Sequence, residues 1–211
     1  MTDTFLSEWR HFFPNYSRLN AVQEKCFQRL YKSDRNVVIS APTGCGKTGC
    51  MDIALCRLFS MSKPHHAVYL APTRALCMER EAEWMDRLSN LKKDVKSCTG
   101  DSDTLHQPSD VMYPDTHCNH TPTHVNNRIF TAEKLEAMTR RWTECKEIFK
   151  NVSLLLIDEL HSVRCPQRGP CLEVLIMRLR MFIPGLRIVA VSASIGNTID
   201  FCKWYLPFKA C

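Results

Sequence analysis

Asn36-Val37-Val38-Ile39-Ser40-Ala41-Pro42-Thr43-Gly44-Cys45-Gly46-Lys47-Thr48 is the stretch whose reading decides the fold. β-Branched residues that suit a pleated strand run into a turn with two glycines, and Gly49 to Ser60 then shows apolar residues at helical spacing. Strand, glycine turn, Lys-Thr and helix in that order make a phosphate-binding loop. Gly44 and Gly46 let successive backbone N–H groups point inward at phosphate oxygens, and the helix that starts near Lys47 adds the positive end of its dipole. Lys47 is then placed for the β- and γ-phosphates and the Thr48 hydroxyl for Mg²⁺. Ala41 stands where the usual pattern has glycine. Ala41, Pro42, Thr43, Gly44, Cys45, Gly46, Lys47 and Thr48 together form the expected nucleotide cradle, in which Cys45 is a small filler rather than a nucleophile.

The chain has 211 residues, 45% of them hydrophobic, enough to bury one good core, so residues 1–211 are read as one domain. Its net charge of +6, with basic clusters at Lys92-Lys93 and Arg140-Arg141, is compatible with a polyanionic partner. Twelve cysteines occur without a Cys-x-x-Cys pair, and Cys26, Cys56, Cys98 and Cys202 fall within apolar patterns. That usage suits reduced, buried thiols in an intracellular compartment. The N-terminus has no basic region followed by a long apolar one, and no window is apolar enough to span a membrane. A soluble, intracellular protein is expected.

Around the phosphate loop, strands and helices alternate. Phe5, Trp9, Phe12 and Phe13 form an aromatic entry segment ending at Pro14, and from Ser17 a helix places Leu19, Val22, Cys26, Phe27 and Leu30 on one face. Lys63 to His66 reads as a turn, Ala67–Ala71 as a short buried strand, and Pro72-Thr73-Arg74-Ala75-Leu76 opens an amphipathic helix carrying Arg80, Trp84 and Leu88. A strand over Val95–Thr99 follows, closed by Gly100-Asp101. Residues 101–127 lose all periodicity and read as an irregular insert. His117, Cys118, His120 and His124 within it lack a second cysteine pair at ligand spacing, which favours an insert over a zinc site. Arg128 to Thr131 reads as a short strand and Ala132 to Phe149 as one helix. Val152 to Ile157 is the most hydrophobic run, and such a run implies a strand buried on both faces. A helix over Gly169–Phe182, a strand over Arg187–Ser192 and a short helix over Ile199–Leu206 complete the chain. The fold class is α/β, a mostly parallel sheet sandwiched by helices.

The apolar run ends in Asp158-Glu159-Leu160-His161, at the end of the strand where parallel sheets bind ligands. Asp158 suits Mg²⁺ held through its water shell, and Glu159 suits a general base for an attacking water. Together these stretches resemble the superfamily two helicases with a DEAD/DEAH-type box. Ala71-Pro72-Thr73-Arg74-Ala75-Leu76 is similar to that family's first nucleic-acid contact motif, Thr99-Gly100-Asp101 to its Thr-Gly element, Thr131-Ala132-Glu133-Lys134 to Thr-Pro-Glu-Lys, and Ser192-Ala193-Ser194 to Ser-Ala-Thr. Arg168-Gly169-Pro170, Leu172-Glu173 and Arg178 resemble the Ski-like branch. Asp34-Arg35-Asn36, Ala75-Leu76-Cys77 and Met138-Thr139-Arg140-Arg141-Trp142 look most like the meiotic crossover DNA helicases of the Mer type.

The resemblance implies a RecA-like P-loop NTPase domain, the ATP-binding lobe of an ATP-dependent DNA helicase located in the nucleus, with ATP and Mg²⁺ as cofactors. By the same resemblance Lys47, Asp158 and Glu159 are catalytic, Thr48 and Asp158 hold Mg²⁺, and Gln23 reads adenine. Thr73, Arg74, Thr99, Gly100 and Thr131 would face single-stranded DNA or a duplex junction, in preference to RNA, while His161, Ser192 and Ser194 couple the two sites. Three features depart from the pattern: Ala132 replaces proline, Ser194 replaces threonine, and a polar tract occupies residues 101–131 where the family has another strand. The chain stops at Cys211, before any second RecA-like lobe. An arginine finger from such a lobe is worth about 10³–10⁵ in rate, so ATP binding with little hydrolysis and no unwinding is expected of this polypeptide alone. A non-catalytic ATP- or nucleic-acid-binding module acting through partners and an RNA helicase fragment of the same branch are the alternatives. A P-loop phosphotransferase leaves Asp158 to His161 and Ser192 to Ser194 unexplained.

Overall fold

A strand buried on both faces needs apolar residues at every position, because successive side chains alternate between the two sides. Leu154–Ile157 within the run Val152–Ile157 meets that demand: Leu154 and Leu156 join one core layer with Ile39, Tyr69, Val189 and Val191, while Leu155 and Ile157 join the other with Leu70, Ile188 and Ala190. The computed structural model describes residues 2–62, 65–88, 95–98 and 127–194. Thr99, Gly100, residues 101–126 with their histidines and Cys118, the Lys63-Pro64 turn, Cys202 and the helix expected over Ile199–Leu206 lie outside the described residues.

Among the described residues six strands form one sheet. They are β1 (Val37–Ser40), β2 (His66–Ala71), β3 (Val95–Cys98), β4 (Asn127–Thr131), β5 (Val152–Ile157) and β6 (Arg187–Ser192). Their spatial order is β1-β6-β5-β2-β4-β3, and every pairing is parallel. All six C-terminal ends therefore face one rim. The phosphate loop leaves that rim from β1 and the acidic box from β5, with only β6 between them. Two strand spacings make this roughly 10 Å. Thr73-Arg74, Thr131 and Ser192 follow β2, β4 and β6 onto the same rim.

One sheet face is covered by α1 (Thr2–Glu8), α2 (Ala21–Tyr31), α3 (Lys47–Phe59) and α4 (Arg74–Leu88); the other by α5 (Ala132–Arg140), the short α6 (Trp142–Cys145) and α7 (Gly169–Phe182). No helix among the described residues is long and apolar enough to cross a membrane. The aromatic entry segment contains α1, whose Phe5 packs edge-on against Phe27 and Tyr31 of α2 with ring centroids 5.1 and 4.8 Å away. α2 starts at Ala21 rather than Ser17 because Asn20 caps it, its side chain accepting from Val22 N and Gln23 N.

Two other expectations change. The single helix expected from Ala132 to Phe149 breaks at Arg141 (φ −107°, ψ 47°), then continues as α6 and a 3₁₀ turn, Lys146–Phe149. The break lets Trp142 stack on Phe182 of α7 at 4.2 Å and on Phe149 at 5.0 Å, contacts a straight helix would carry away from the sheet. His66, read as part of a turn, begins β2, and Asn127, read as the end of the insert, begins β4 and is buried.

Glu136 ties α5 to α7. Its buried carboxylate accepts from Arg140 Nε at 2.9 and 3.0 Å and from Arg178 Nη1 at 2.6 Å. The Arg140 hydrogen bonds, helped by Arg178 and opposed by burial, hold its carboxyl below the usual glutamate range. A depressed folded-state pKa contributes stability that is present above the unfolded value of about 4.3 and lost as pH falls through the folded one. Glu136→Gln should therefore lower stability at pH 7 by about 1–3 kcal/mol, with the gap to the parent closing below about pH 4. Urea unfolding at pH 7 and pH 3.5 measures both.

Candidate nucleotide-binding site

Gly44 (φ 77°) and Gly46 (φ 80°) both lie in the left-handed region that side chains disfavour. They curl the loop so that α3 starts at Lys47 with Gly46 as N-cap and no side-chain cap, leaving its first N–H groups available to an anion. Lys47 is buried, and its Nζ donates to Ala41 O and Pro42 O, each at 2.8 Å. The ammonium thus rests on two carbonyls of its own loop, contacts that a phosphate oxygen would replace with stronger charge-assisted ones. Thr48 is half-buried in the first turn of α3.

Gln23 has both ends of its amide engaged. Oε1 accepts from Asn20 N at 3.0 Å and Nε2 donates to Gly46 O at 3.1 Å, while Asn20 Nδ2 donates to Cys45 O at 3.0 Å. The expected adenine reader is fully buried and braces the phosphate loop from α2. Gly49 makes room for it: a Cβ there would lie 2.4 Å from Gln23 Nε2 and 3.0 Å from Tyr16 Oη. Neither Asn20 nor Tyr16 carried a role in the sequence reading. The Asn20-x-x-Gln23 spacing of a capping box was the signal for Asn20.

At the end of β5, Asp158 Oδ1 accepts from Glu159 N at 2.9 Å and Oδ2 from Tyr69 Oη at 2.7 Å. Burial, and then the Asp158 charge, push the Tyr69 phenol well above its usual range, so it faces the carboxylate as a donor. Glu159 itself is left-handed (φ 50°, ψ 49°), a conformation that strains a non-glycine residue by about 1–3 kcal/mol and is concentrated at functional sites. Its Oε2 lies 3.0 Å from His161 Nδ1, and Ala193 N donates to that same Nδ1 at 3.4 Å. A protonated Nδ1 can donate to Glu159; a bare one accepts from Ala193. The acidic box and the Ser192-Ala193-Ser194 segment therefore meet at one imidazole nitrogen. Ser192 Oγ is buried with no hydrogen-bond partner among the described residues.

The candidate nucleic-acid residues are partly engaged. Thr73 Oγ1 accepts from Leu76 N at 3.3 Å and Thr131 Oγ1 from Lys134 N at 3.4 Å, so both hydroxyls serve as helix caps. Thr73, Arg74 and Ser194 are exposed, whereas Thr131 is buried. Arg168, noted only for branch likeness, donates through Nη1 to Pro72 O at 2.7 Å and through Nε lies 3.4 Å from Glu133 Oε1, bridging the ends of β2 and β4. The oxygen donors Thr48 and Asp158 suit a hard divalent cation. No cluster of three His, Cys, Asp or Glu side chains that could hold a metal by itself occurs among the described residues.

An all-parallel sheet with a glycine-curled loop, a buried lysine and an acid–base pair on one rim defines a P-loop α/β domain. The chain belongs to the DEAD/DEAH box helicase family, whose family model matches residues 20–201. It is 34% identical over 215 residues to the probable ATP-dependent DNA helicase HFM1 of Mus musculus and 32% identical over 193 residues to the ATP-dependent DNA helicase MER3 of Saccharomyces cerevisiae. These alignments cover 94% and 90% of this chain but 14% and 15% of the relatives. Activating signal cointegrator 1 complex subunit 3 of Bos taurus is 35% identical, over 90% of this chain and 8% of its own length. Among solved structures, the DUF1998 helicase MrfA bound to DNA and AMPPNP superposes with a TM-score of 0.72 at 21% identity, covering 97% of this chain and 27% of MrfA, a likeness of fold.

One thiol beside the loop is activated. Half-buried Cys26 on α2 is hydrogen-bonded by Cys50 in the first turn of α3, and that bond brings its pKa down to about 7 against the effect of burial. The same bond and burial push the Cys50 thiol up, and burial does so for Cys56. Iodoacetamide should alkylate Cys26 at a rate with a midpoint near pH 7, while Cys50 and Cys56 stay unmodified in the folded chain. Peptide mass spectrometry across pH checks this, and a midpoint above about pH 8.5, that of an ordinary thiol, would contradict the pairing.

Proposed function

We propose that this chain is the ATP-binding lobe of an ATP-dependent DNA helicase of the Mer type, working in the nucleus with a second RecA-like lobe. The observation that carries the reading is the convergence of Lys47 and Asp158 on one rim, at strands separated only by β6. In this reading Lys47 leaves the Ala41 and Pro42 carbonyls for the β- and γ-phosphates of ATP, and the N–H groups after Gly46 hold the remaining phosphate oxygens. Thr48 and Asp158 would hold Mg²⁺, which would neutralise charge on the phosphates. Glu159 takes the proton of the water that attacks the γ-phosphorus, as the bond from that phosphorus to the β–γ bridging oxygen breaks and ADP leaves. His161, which lies against both Glu159 and Ala193, relays the state of the phosphate site to the Ser192–Ser194 segment. Gln23 reads adenine by exchanging its present hydrogen bonds for the base.

DNA lies, in this reading, across the exposed Thr73-Arg74 end of α4, with Thr131 at the end of β4 on the same rim and Thr99 and Gly100, outside the described residues, as further contacts. Contacts there fall on phosphates and carry no sequence preference, as a motor requires. Single-stranded DNA or a junction is the favoured partner. Turnover depends on an arginine finger from the second lobe, worth about 10³–10⁵ in rate.

Removing the Lys47 ammonium deletes charge-assisted bonds worth about 1.5–3 kcal/mol. Lys47→Ala should therefore weaken ATP binding by about 10- to 100-fold, measured by calorimetric titration with Mg²⁺ present. Unchanged affinity would refute the assignment. The 211-residue chain should show negligible steady-state ATPase with or without single-stranded DNA. Clear stimulation by DNA would overturn the dependence on a second lobe.

A further inference from the structure

Asp158 is held by two hydrogen bonds, and one of them starts deep in the sheet. Tyr69 sits in β2, 2% exposed, and its hydroxyl reaches Asp158 Oδ2 at 2.7 Å. Its ring meets Trp84 of α4 edge-on at 5.2 Å, and the Arg80 guanidinium lies 5.6 Å from the ring centroid. Arg80 pairs with Glu83, and Glu83 with Arg87. Arg87 Nη1 reaches Asp52 Oδ2 at 3.0 Å, and Trp84 Nε1 donates to Asp52 Oδ1 at 3.2 Å. Asp52 is a buried residue of α3, five positions after Lys47. A continuous set of polar contacts thus runs from the end of β5, through β2 and along α4, into the helix of the phosphate loop.

We propose that Tyr69 is a positioning residue for the Asp158 carboxylate, which it anchors through Arg80, Glu83 and Arg87 to both α4 and α3. The inference rests on the assignment of Asp158 to Mg²⁺ made above. A carboxylate at a strand end can rotate about its own axis. A donor on each oxygen, Tyr69 on one and the Glu159 N–H on the other, fixes its plane. Partners of this kind behind a metal ligand typically change metal affinity or activity by 10- to 100-fold when removed. The location of the anchor gives it a second consequence. α4 begins at Arg74, in the candidate DNA contact, so a shift of that helix reaches the metal-holding carboxylate through Arg80 and Tyr69 rather than through the loops of the rim.

The nearest apolar isostere tests this, because Tyr69→Phe keeps the ring, its packing on Trp84 and its place under Arg80. Mn²⁺ serves as the probe, its binding to the ATP-loaded chain followed by electron paramagnetic resonance. Tyr69→Phe should weaken Mn²⁺ binding by about 10-fold and leave ATP affinity in EDTA unchanged. Trp84→Phe disturbs the same packing and removes the Nε1 hydrogen bond to Asp52, but leaves the Tyr69 hydroxyl and the Arg80, Glu83 and Arg87 pairs in place, and should keep the parent's Mn²⁺ affinity. Equal Mn²⁺ affinity in Tyr69→Phe and the parent, while Asp158→Asn loses it, overturns the inference and leaves the function standing. An equal loss in Trp84→Phe and Tyr69→Phe reduces Tyr69 to packing and also overturns it. Mn²⁺ binding that survives Asp158→Asn instead overturns the assignment on which the inference rests.

Discussion

Parallel pairing of every strand is the constraint from which the rest of the molecule follows. Six strands running the same way put all their C-terminal ends on one rim. Parallel strands can be joined only by crossovers, so both faces of the sheet are covered by helices and its central strands are largely apolar on both sides. The phosphate loop, the acidic box, the Thr73-Arg74 helix start and the Ser192–Ser194 segment are distant in sequence yet share that rim. β6, between β1 and β5, sets the separation of Lys47 and Asp158.

The loop is braced by hydrogen bonds within the chain itself. Lys47 Nζ donates to two loop carbonyls, and Asn20 and Gln23 hold the carbonyls of Cys45 and Gly46. In the proposed reading a triphosphate exchanges these hydrogen bonds for its own, and preorganisation of this kind lowers the cost of binding. The same contacts couple α2 to the loop, so a base touching Gln23 would disturb Gly46 O directly. At the other site the strained backbone of Glu159 and the bare Ser192 hydroxyl are local costs that the sheet around them sustains.

Much of the site could be read without coordinates. Gly44 and Gly46 are conspicuous because only glycine is at ease at their positive φ, and the apolar run before Asp158 could only be a buried strand. Long-range partners could not be read. Nothing near Tyr69 in sequence indicates that its hydroxyl meets Asp158, 89 residues further on, and Arg187 appears from its neighbours to be an ordinary strand start. In the fold Arg187 is buried and donates to Arg29 O, Leu30 O and Arg35 O, closing the C-terminal end of α2. The break at Arg141 was likewise hidden, because the helical period of Leu135, Met138, Trp142, Cys145 and Phe149 runs straight through it. Stacking of Trp142 on Phe182, an element forty residues away in sequence, overrides that local period.

Sequence alone determined the α/β class, the phosphate loop and the acidic pair, because each depends on residue types within a few positions of one another. Tertiary structure decided strand order, the internal engagement of Gln23 and the anchoring of Asp158 by Tyr69. Those depend on which side chains the sheet brings within about 3 Å, a distance that chain spacing does not encode.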